Sequence, residues 1–271
     1  MEDTFKAGHL AMLERVAAGA PLPQLLEDIV RFIEGQSVGM MCSILLLDPE
    51  ERCIRHGAAP SLPPEFVRAL DGARIGPQAG SCGAAAYRGE PVIVSDIATH
   101  ANWDDYRHLA LPHGLRACWS TPIFSPEKEV LGTFAMYYRE IRGPSAQERH
   151  WVEVATHLAS MAILRDRGEQ QLRSSEQRAR QLARLYAVSN GVNEAIARVR
   201  DPQNLYDFAC RIAVEQGLAR LAWVGLCVKA HEQLLPVARY GIDSQAGNSK
   251  RLVIRHLSRR HGAQQQHACE R

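Results

Sequence analysis

Two apolar runs constrain this chain more than any other feature: Leu115–Phe124 and Val130–Tyr138, joined by the polar turn Ser125-Pro126-Glu127-Lys128-Glu129. Each is long enough for a full strand, and the turn between them is short, so the pair predicts an antiparallel hairpin. Side chains alternate along a strand, which aims them without further information. Leu115, Ala117, Trp119, Thr121 and Ile123 share one face, and Arg116, Cys118 and Ser120 point the other way. In the second run Leu131, Thr133, Ala135 and Tyr137 share a face, opposite Gly132, Phe134, Met136 and Tyr138. Such alternation predicts that Trp119 packs against a helical layer while the more polar set faces a cavity or solvent.

Helix and strand signals surround this hairpin. Pro23 sits in a first helical turn, with Leu25, Leu26, Ile29, Phe32 and Ile33 at helical spacing up to Gly35. Cys42–Leu47, the turn Asp48-Pro49-Glu50 and Arg52–Ala58 read as a second hairpin, Pro64–Leu70 as a short helix and Pro91–Ser95 as a short strand. Past Gly143-Pro144, Ser145-Ala146-Gln147-Glu148 is a capping box. It opens a stripe of Trp151, Val154, Leu158, Met161 and Ala162, and the helix continues through the charged stretch Arg165–Arg184 with Gly168 as a soft point. The heptad seam there is too polar for a strong coiled coil. The opening pattern then recurs. Asp201-Pro202 starts a helix bearing Leu205, Phe208, Ala209 and Ile212 and ending at Gly217, followed by strands Leu221–Val228 and Leu234–Tyr240. This suggests a duplication that stops after its first hairpin; coincidence is the alternative, since helix-then-hairpin is common.

Composition excludes several functions. With 32 Lys+Arg against 30 Asp+Glu and 46% hydrophobic residues, the chain is neither a general polyanion binder nor wholly disordered. Seven widely spaced cysteines, no CxxC, and no basic-then-apolar leader suggest a cytoplasmic, reducing environment without a disulfide framework. The most apolar stretch, Val38–Leu47, is half the length needed to span a bilayer, so no membrane insertion is expected. Residues 242–271 carry six Lys/Arg against two acids. They are read as a basic tail, disordered or frame-shifted, in preference to a polyanion-binding arm; Arg251–Leu257 would make a short helix.

Several motifs in order carry a family resemblance: Gly80-Ser81-Cys82-Gly83-Ala84-Ala85, Pro91-Val92-Ile93-Val94-Ser95-Asp96-Ile97, Trp103-Asp104-Asp105-Tyr106, Gly114 through Ile123, and Val130-Leu131-Gly132-Thr133-Phe134-Ala135. Together they resemble a bacterial GAF domain, the small-molecule sensory module of many signalling proteins. The resemblance implies an α+β fold, an α/β/α sandwich with a central antiparallel sheet, terminal helices on one face and a ligand pocket under loops and short helices on the other. The expected organisation is an N-terminal helical segment at 1–20, a GAF sensor domain at 21–165, a signalling-helix linker at 166–187, a partial second GAF domain at 188–241 and the tail at 242–271.

Similarity to phytochrome-type GAF domains places Cys118, Ser120, Thr133, Ala135 and Tyr137 toward the pocket. Asp96 either hydrogen-bonds a ligand or caps the next short helix. Trp103 and Tyr106 either wall a ligand or plug a lid, and Arg116 is either an anion anchor or a surface charge. The candidate ligand-binding set is therefore Asp96, Trp103, Tyr106, Arg116, Cys118, Ser120, Thr133 and Tyr137. Between Asp96 and Leu115 there is no cysteine, and Ala98 stands where the phytochrome motif has proline, which argues against covalent bilin attachment. His100, His108 and His113 lie in the lid segment, but loop histidines are usually solvated or hydrogen-bonding groups, so no haem, metal or other cofactor is assigned.

The expected role is non-enzymatic: sensing an unidentified small molecule, homodimerising through the terminal helices, and passing a change along Ser145–Val188 to an output domain that the chain lacks. No nucleic acid is an expected partner. A histidine kinase or cyclic-di-GMP enzyme is the parent that the resemblance suggests. The alternatives are a ligand-free dimerisation scaffold and a GAF-type free methionine-R-sulfoxide reductase. Cys82 resembles one of the reductase's cysteine positions, but the lid lacks its further cysteine.

Overall fold

The structure, a computed structural model, describes residues 2–198, 201–215, 219–228 and 233–241. The basic tail, its Arg251–Leu257 helix and the helix end at Gly217 lie outside the described residues. The chain divides into two compact units, the first running to Leu172 and the second starting at Arg173.

In the first unit, α1 (Glu2–Ala17) and α2 (Leu22–Glu34) precede the hairpin β1 (Met41–Asp48) and β2 (Cys53–Ala58). Then come α3 (Pro64–Leu70), α4 (Cys82–Arg88) and β3 (Val92–Val94). An irregular segment follows, holding 3₁₀ turns at Ala101–Trp103 and Leu111–His113 around α5 (Arg107–Ala110). The strands β4 (Ala117–Phe124) and β5 (Val130–Tyr138) lead into α6 (Ala146–Arg198). One sheet results, ordered β2-β1-β5-β4-β3, with every neighbouring pair antiparallel. This is the expected α/β/α architecture.

Each sheet face has its own core. Helices α1, α2 and the first turns of α6 cover one side, where Ile29, Val30, Ile33, Leu158 and Ile163 meet Cys42, Ile44, Trp119, Phe134, Met136 and Tyr138. The stripe Leu25, Leu26, Ile29, Val30 and Ile33 buries the inner face of α2. On the other side, Phe66 and Leu70 of α3, the alanines of α4, and Trp103 and Ala110 pack over Met41, Leu45, Cys118, Ala135 and Tyr137. Parity aims the middle of β4 and β5 as expected, with Trp119 toward the helices.

At two positions parity gives the wrong face, for different reasons. Leu115 precedes β4 and joins the core opposite Trp119. Leu131 falls at a register slip, with Ile123 opposite Gly132 and Phe124 opposite Val130, so it is left between pairs and turns to the helical side. Gly132 next to it touches β1 so closely that a Cβ would lie 2.2 Å from the Leu45 carbonyl oxygen.

α6 runs unbroken through Gly168, where a Cβ would meet nothing within 4 Å, so the expected linker 166–187 is helical throughout. In the second unit α7 (Pro202–Glu215) is followed by the antiparallel strands β6 (Leu221–Val228) and β7 (Gln233–Gly241). This is the element order of α2, β1 and β2. Cys210, Ile212 and Ala238 are buried there, while Trp223, Leu226, Leu235 and Tyr240 are exposed. No helix among the described residues is long and apolar enough to cross a membrane.

Candidate functional site

The face away from the terminal helices carries a small chamber. α4 can lie almost directly on β4 and β5 because Cys82, Gly83, Ala84, Ala85 and Ala86 are small and all buried. Just before it, the Gly80 amide donates to the Asn102 carbonyl at 2.8 Å, drawing the irregular segment over the start of α4. Ser81 then fastens lid to sheet. Its hydroxyl accepts from Trp103 Nε1 at 3.0 Å and donates to the Cys118 carbonyl at 3.1 Å. Beneath, Cys82 Sγ lies 3.5 Å from Tyr137 Oη, and the Tyr137 ring stands edge-on to Phe66 at 5.7 Å. The cavity lined by Cys82, Tyr137, Trp103, Tyr106, Leu70 and Arg74 measures about 20 Å³, room for a single water-sized molecule.

The sheet face that carries Tyr137 is polar at buried residues that do not themselves line the cavity. Ser43 of β1 and Ser120 of β4 both pair with Ala135 of β5, and Thr133 is the next residue on the same face of β5. The three residues are at most 1% exposed. Their hydroxyls form no aligned hydrogen bond among the described residues, although Ser120 and Thr133 lie close enough to Cys82, and Ser43 to Tyr137, to favour those groups' ionised forms. A buried polar group without a partner costs about 1–3 kcal/mol, so three of them around one alanine are an unusual concentration.

The thiols are coupled. Hydrogen bonding with Cys118 holds Cys82 at about 7, below the usual thiol value, against the opposing effect of burial and with help from Tyr137, Ser120 and Thr133. Burial pushes Cys118 and Tyr137 well up. The lowered first ionisation belongs to the Cys82–Cys118 pair as a unit.

The eight residues expected from the sequence do not form one site. Trp103, Tyr106 and Tyr137 line the cavity; Cys118, Ser120 and Thr133 do not line it and are buried in the sheet on the same face as Tyr137. Asp96 and Arg116 pair with each other instead, Arg116 Nη2 to Asp96 Oδ1 at 3.1 Å, and neither lines the cavity. Asp96 also accepts from the Ala98 amide at 3.1 Å and Thr99 Oγ1 at 3.2 Å. Partial burial raises its carboxyl, but these donors and the Arg116 charge outweigh that and hold it below its ordinary value. In the lid, His100 Nδ1 accepts from the Asn102 amide at 3.2 Å, the ring of His113 lies 6.5 Å from that of Phe66, and His108 is exposed. Among the described residues, metal-ligand spacing occurs at Asp48, Glu51 and Cys53, whose two carboxylates face Arg55.

The opposite sheet face holds the start of α6. Glu148, 3% exposed, accepts from Tyr138 Oη at 2.6 Å, from the Ser145 amide at 2.7 Å and from Arg142 Nη2 at 3.0 Å. Ser145 Oγ accepts from the Glu148 amide, completing the capping box. The Arg142 guanidinium stacks 4.4 Å above Tyr138 and 5.4 Å from Trp119, whose Nε1 donates to the Arg142 carbonyl at 3.2 Å.

Sequence reasoning did not place Ser43, Ser81 or Arg142. Counting by twos from Met41 would have put Ser43 on the same sheet face as Ala135 and Tyr137, and Glu148 was visible only as a cap. Nothing in the sequence announced that Ser81 bridges lid and sheet, because its partners are 22 and 37 residues away.

Known proteins agree with this architecture. The family profile described as GAF domain matches residues 3–164. The methyl sulfide methyltransferase-associated sensor of Methanosarcina acetivorans is 34% identical over 194 residues, which is 72% of this chain but 19% of that protein. The GAF domain of an Acinetobacter phosphoenolpyruvate-protein phosphotransferase shares the fold at 16% identity, with a TM-score of 0.50, covering 63% of this chain and 99% of that one. The free methionine-R-sulfoxide reductase of Neisseria meningitidis superposes with a TM-score of 0.46 at 16% identity, over 62% of this chain and 91% of that one.

Proposed function

Because this chain belongs to the GAF domain family over residues 3–164, we propose that it is the sensory part of a cytoplasmic signalling protein, without catalytic activity of its own. Its chamber takes a small, hydrogen-bond-accepting molecule, and occupancy changes how α6 is held. The observation that carries this reading is the trio of buried, unpartnered hydroxyls at Ser43, Ser120 and Thr133. A core built only for packing would have exchanged them for alanine and valine. None of the three lines the cavity, so a ligand with acceptor atoms reaches them only once the Trp103–Ser81 latch has opened. A ligand shifts such an equilibrium only by its differential affinity for the open and closed arrangements. The sensor name of the Methanosarcina relative is consistent with this role, although the chain spans only 19% of that protein. The output domain, the parent pathway and dimerisation through the terminal helices belong to the same proposal. So does the reading of α7, β6 and β7 as the start of a second GAF domain.

One observation favours a second reading. A cavity of about 20 Å³ suits a ligand-free scaffold whose helices only dimerise. Native mass spectrometry of the purified chain, with a thermal-shift screen of small polar molecules, separates the two. A retained or stabilising ligand, lost on Ser120→Val and Thr133→Val, supports sensing. No retained mass and no shift across the panel, with a dimer seen by light scattering, supports the scaffold; a monomer at high concentration counts against the dimer in either reading.

A further inference from the structure

We propose that Cys82 and Cys118 form an oxidisable dithiol that a small peroxide, entering the chamber at Cys82, converts to a disulfide. Three independent placements lead there. Cys82, at the start of α4, and Cys118, on β4, are brought together by the Ser81 hydroxyl bond to the Cys118 carbonyl at 3.1 Å. Tyr137, the cross-strand partner of Cys118, puts its hydroxyl 3.5 Å from Cys82 Sγ. Both cysteines are therefore buried around Tyr137. Cys82 also lines the cavity, whose volume of about 20 Å³ admits a solute scarcely larger than water and shuts out an amino-acid side chain. Finally, the hydroxyls of Ser120 and Thr133 beside Cys82 have no aligned acceptor while it is a thiol. A thiolate, or the oxygen of a sulfenic acid, supplies one. The lowered first ionisation of the pair agrees with this geometry.

The chemistry proceeds in two balanced steps. The Cys82 sulfur attacks one peroxide oxygen, the O–O bond breaks, and the departing hydroxide takes up the proton given by the Cys82 thiol and leaves as water, with Cys82 a sulfenic acid. The Cys118 sulfur then attacks the Cys82 sulfur, the S–O bond breaks, and the second hydroxide leaves as water with the Cys118 proton. Two thiols are oxidised and one peroxide is reduced to two waters; a dithiol reductant reverses the change by exchange. This deepens the sensing reading by naming a stimulus. It rests on that reading for its consequence and not for its chemistry, since oxidation is read by peptide mass and ligand binding by thermal shift, and either can fail alone.

The test uses the reduced full chain and hydrogen peroxide below stoichiometry, followed by alkylation, digestion and peptide mapping. The expected first product is a Cys82–Cys118 linked peptide, lighter by two hydrogens, while the exposed Cys227 stays alkylatable. In Cys118→Ala the reaction stops at a Cys82 sulfenic acid, which a cyclic 1,3-dione added together with denaturant traps as the chamber opens, and in Cys82→Ala oxidation at Cys118 disappears. The wild-type rate rises with pH through about 7. Oxidation of Cys227 with Cys82 and Cys118 intact, or a rate that tracks an unperturbed thiol near 9, overturns the proposal. The wild-type map decides the matter even if either variant fails to fold.

Discussion

Removing the Glu148 carboxylate is the sharpest perturbation of how α6 is fastened. Glu148→Ala takes away the acceptor for Tyr138 Oη at 2.6 Å, the Ser145 amide at 2.7 Å and Arg142 Nη2 at 3.0 Å. Hydrogen bonds to a charged group contribute about 1.5–3 kcal/mol each, and a lost cap about 1 kcal/mol, but the contributions share one carboxylate and do not add. Tyr138 is 3% exposed, so its hydroxyl is stranded, and Arg142 keeps only the exposed Glu140 at 3.4 Å. Breaking a buried pair on one side costs about 3–5 kcal/mol, which at a urea slope near 2 kcal/mol/M moves the midpoint by about 2 M. Glu148→Gln keeps an acceptor for Tyr138 and loses the charge, so about half of that is expected. The pH dependence has a definite sign. Burial raises the Glu148 carboxyl, but the Tyr138 and Ser145 donors and Arg142 outweigh it and hold it below its ordinary 4.5. Its stabilisation is therefore complete above about 4.5 and is lost as pH falls through the lower native value. Urea titrations of the wild type and of Glu148→Gln should converge in acid. A midpoint shift for Glu148→Ala below about 0.5 M, or full additivity with Tyr138→Phe in a double-mutant cycle, would refute the claim that this cluster pins the helix.

Three further outcomes can be measured on the same material. Ser120→Ala deletes a hydroxyl with no aligned partner and should leave urea stability unchanged or raise it by about 1 kcal/mol, whereas an equal loss would mean that the hydroxyl is satisfied. Trp103→Phe removes the Nε1 bond to Ser81 and should lower stability by about 1 kcal/mol while exposing Cys82 to alkylation in the folded state. Arg116→Ala should cost less than about 1 kcal/mol, because the Arg116 side chain is 38% exposed and its pair with Asp96 is screened.

The architecture was legible wherever a pattern is local. Prolines and stripes gave α2 and α7, the capping box gave the start of α6, and alternation gave the faces of β4 and β5. Parity failed only at Leu115, outside the strand, and at Leu131, beside a register slip that depends on how two strands pair. The site was harder to read because its determinants are pairings between distant residues. Alternation alone cannot say that Asp96 and Arg116, which lie 20 residues apart, would satisfy each other and withdraw from the chamber. Nor does any short motif reveal that Ser43 and Ser120 flank Ala135, since that follows from the order of β1, β5 and β4 in the sheet.

That sheet order sets the two cores one residue apart along β4 and β5. Cys118 faces the α4 side of the sheet and Trp119, the next residue, supports Arg142; Tyr137 stands over Cys82, and Tyr138, the next residue, holds Glu148. The two outward-turned rings touch at 4.9 Å. Events in the chamber and the fastening of α6 are thus separated by a single peptide unit on each strand, about 3.8 Å from Cα to Cα. Because that unit is planar and stiff, tilting the chain at position 118 or 137 rotates its neighbour on the far side in the same motion. The proposed sensing role therefore needs no relay of intermediate side chains: the backbone itself would be the seesaw between a chamber occupant and the helix.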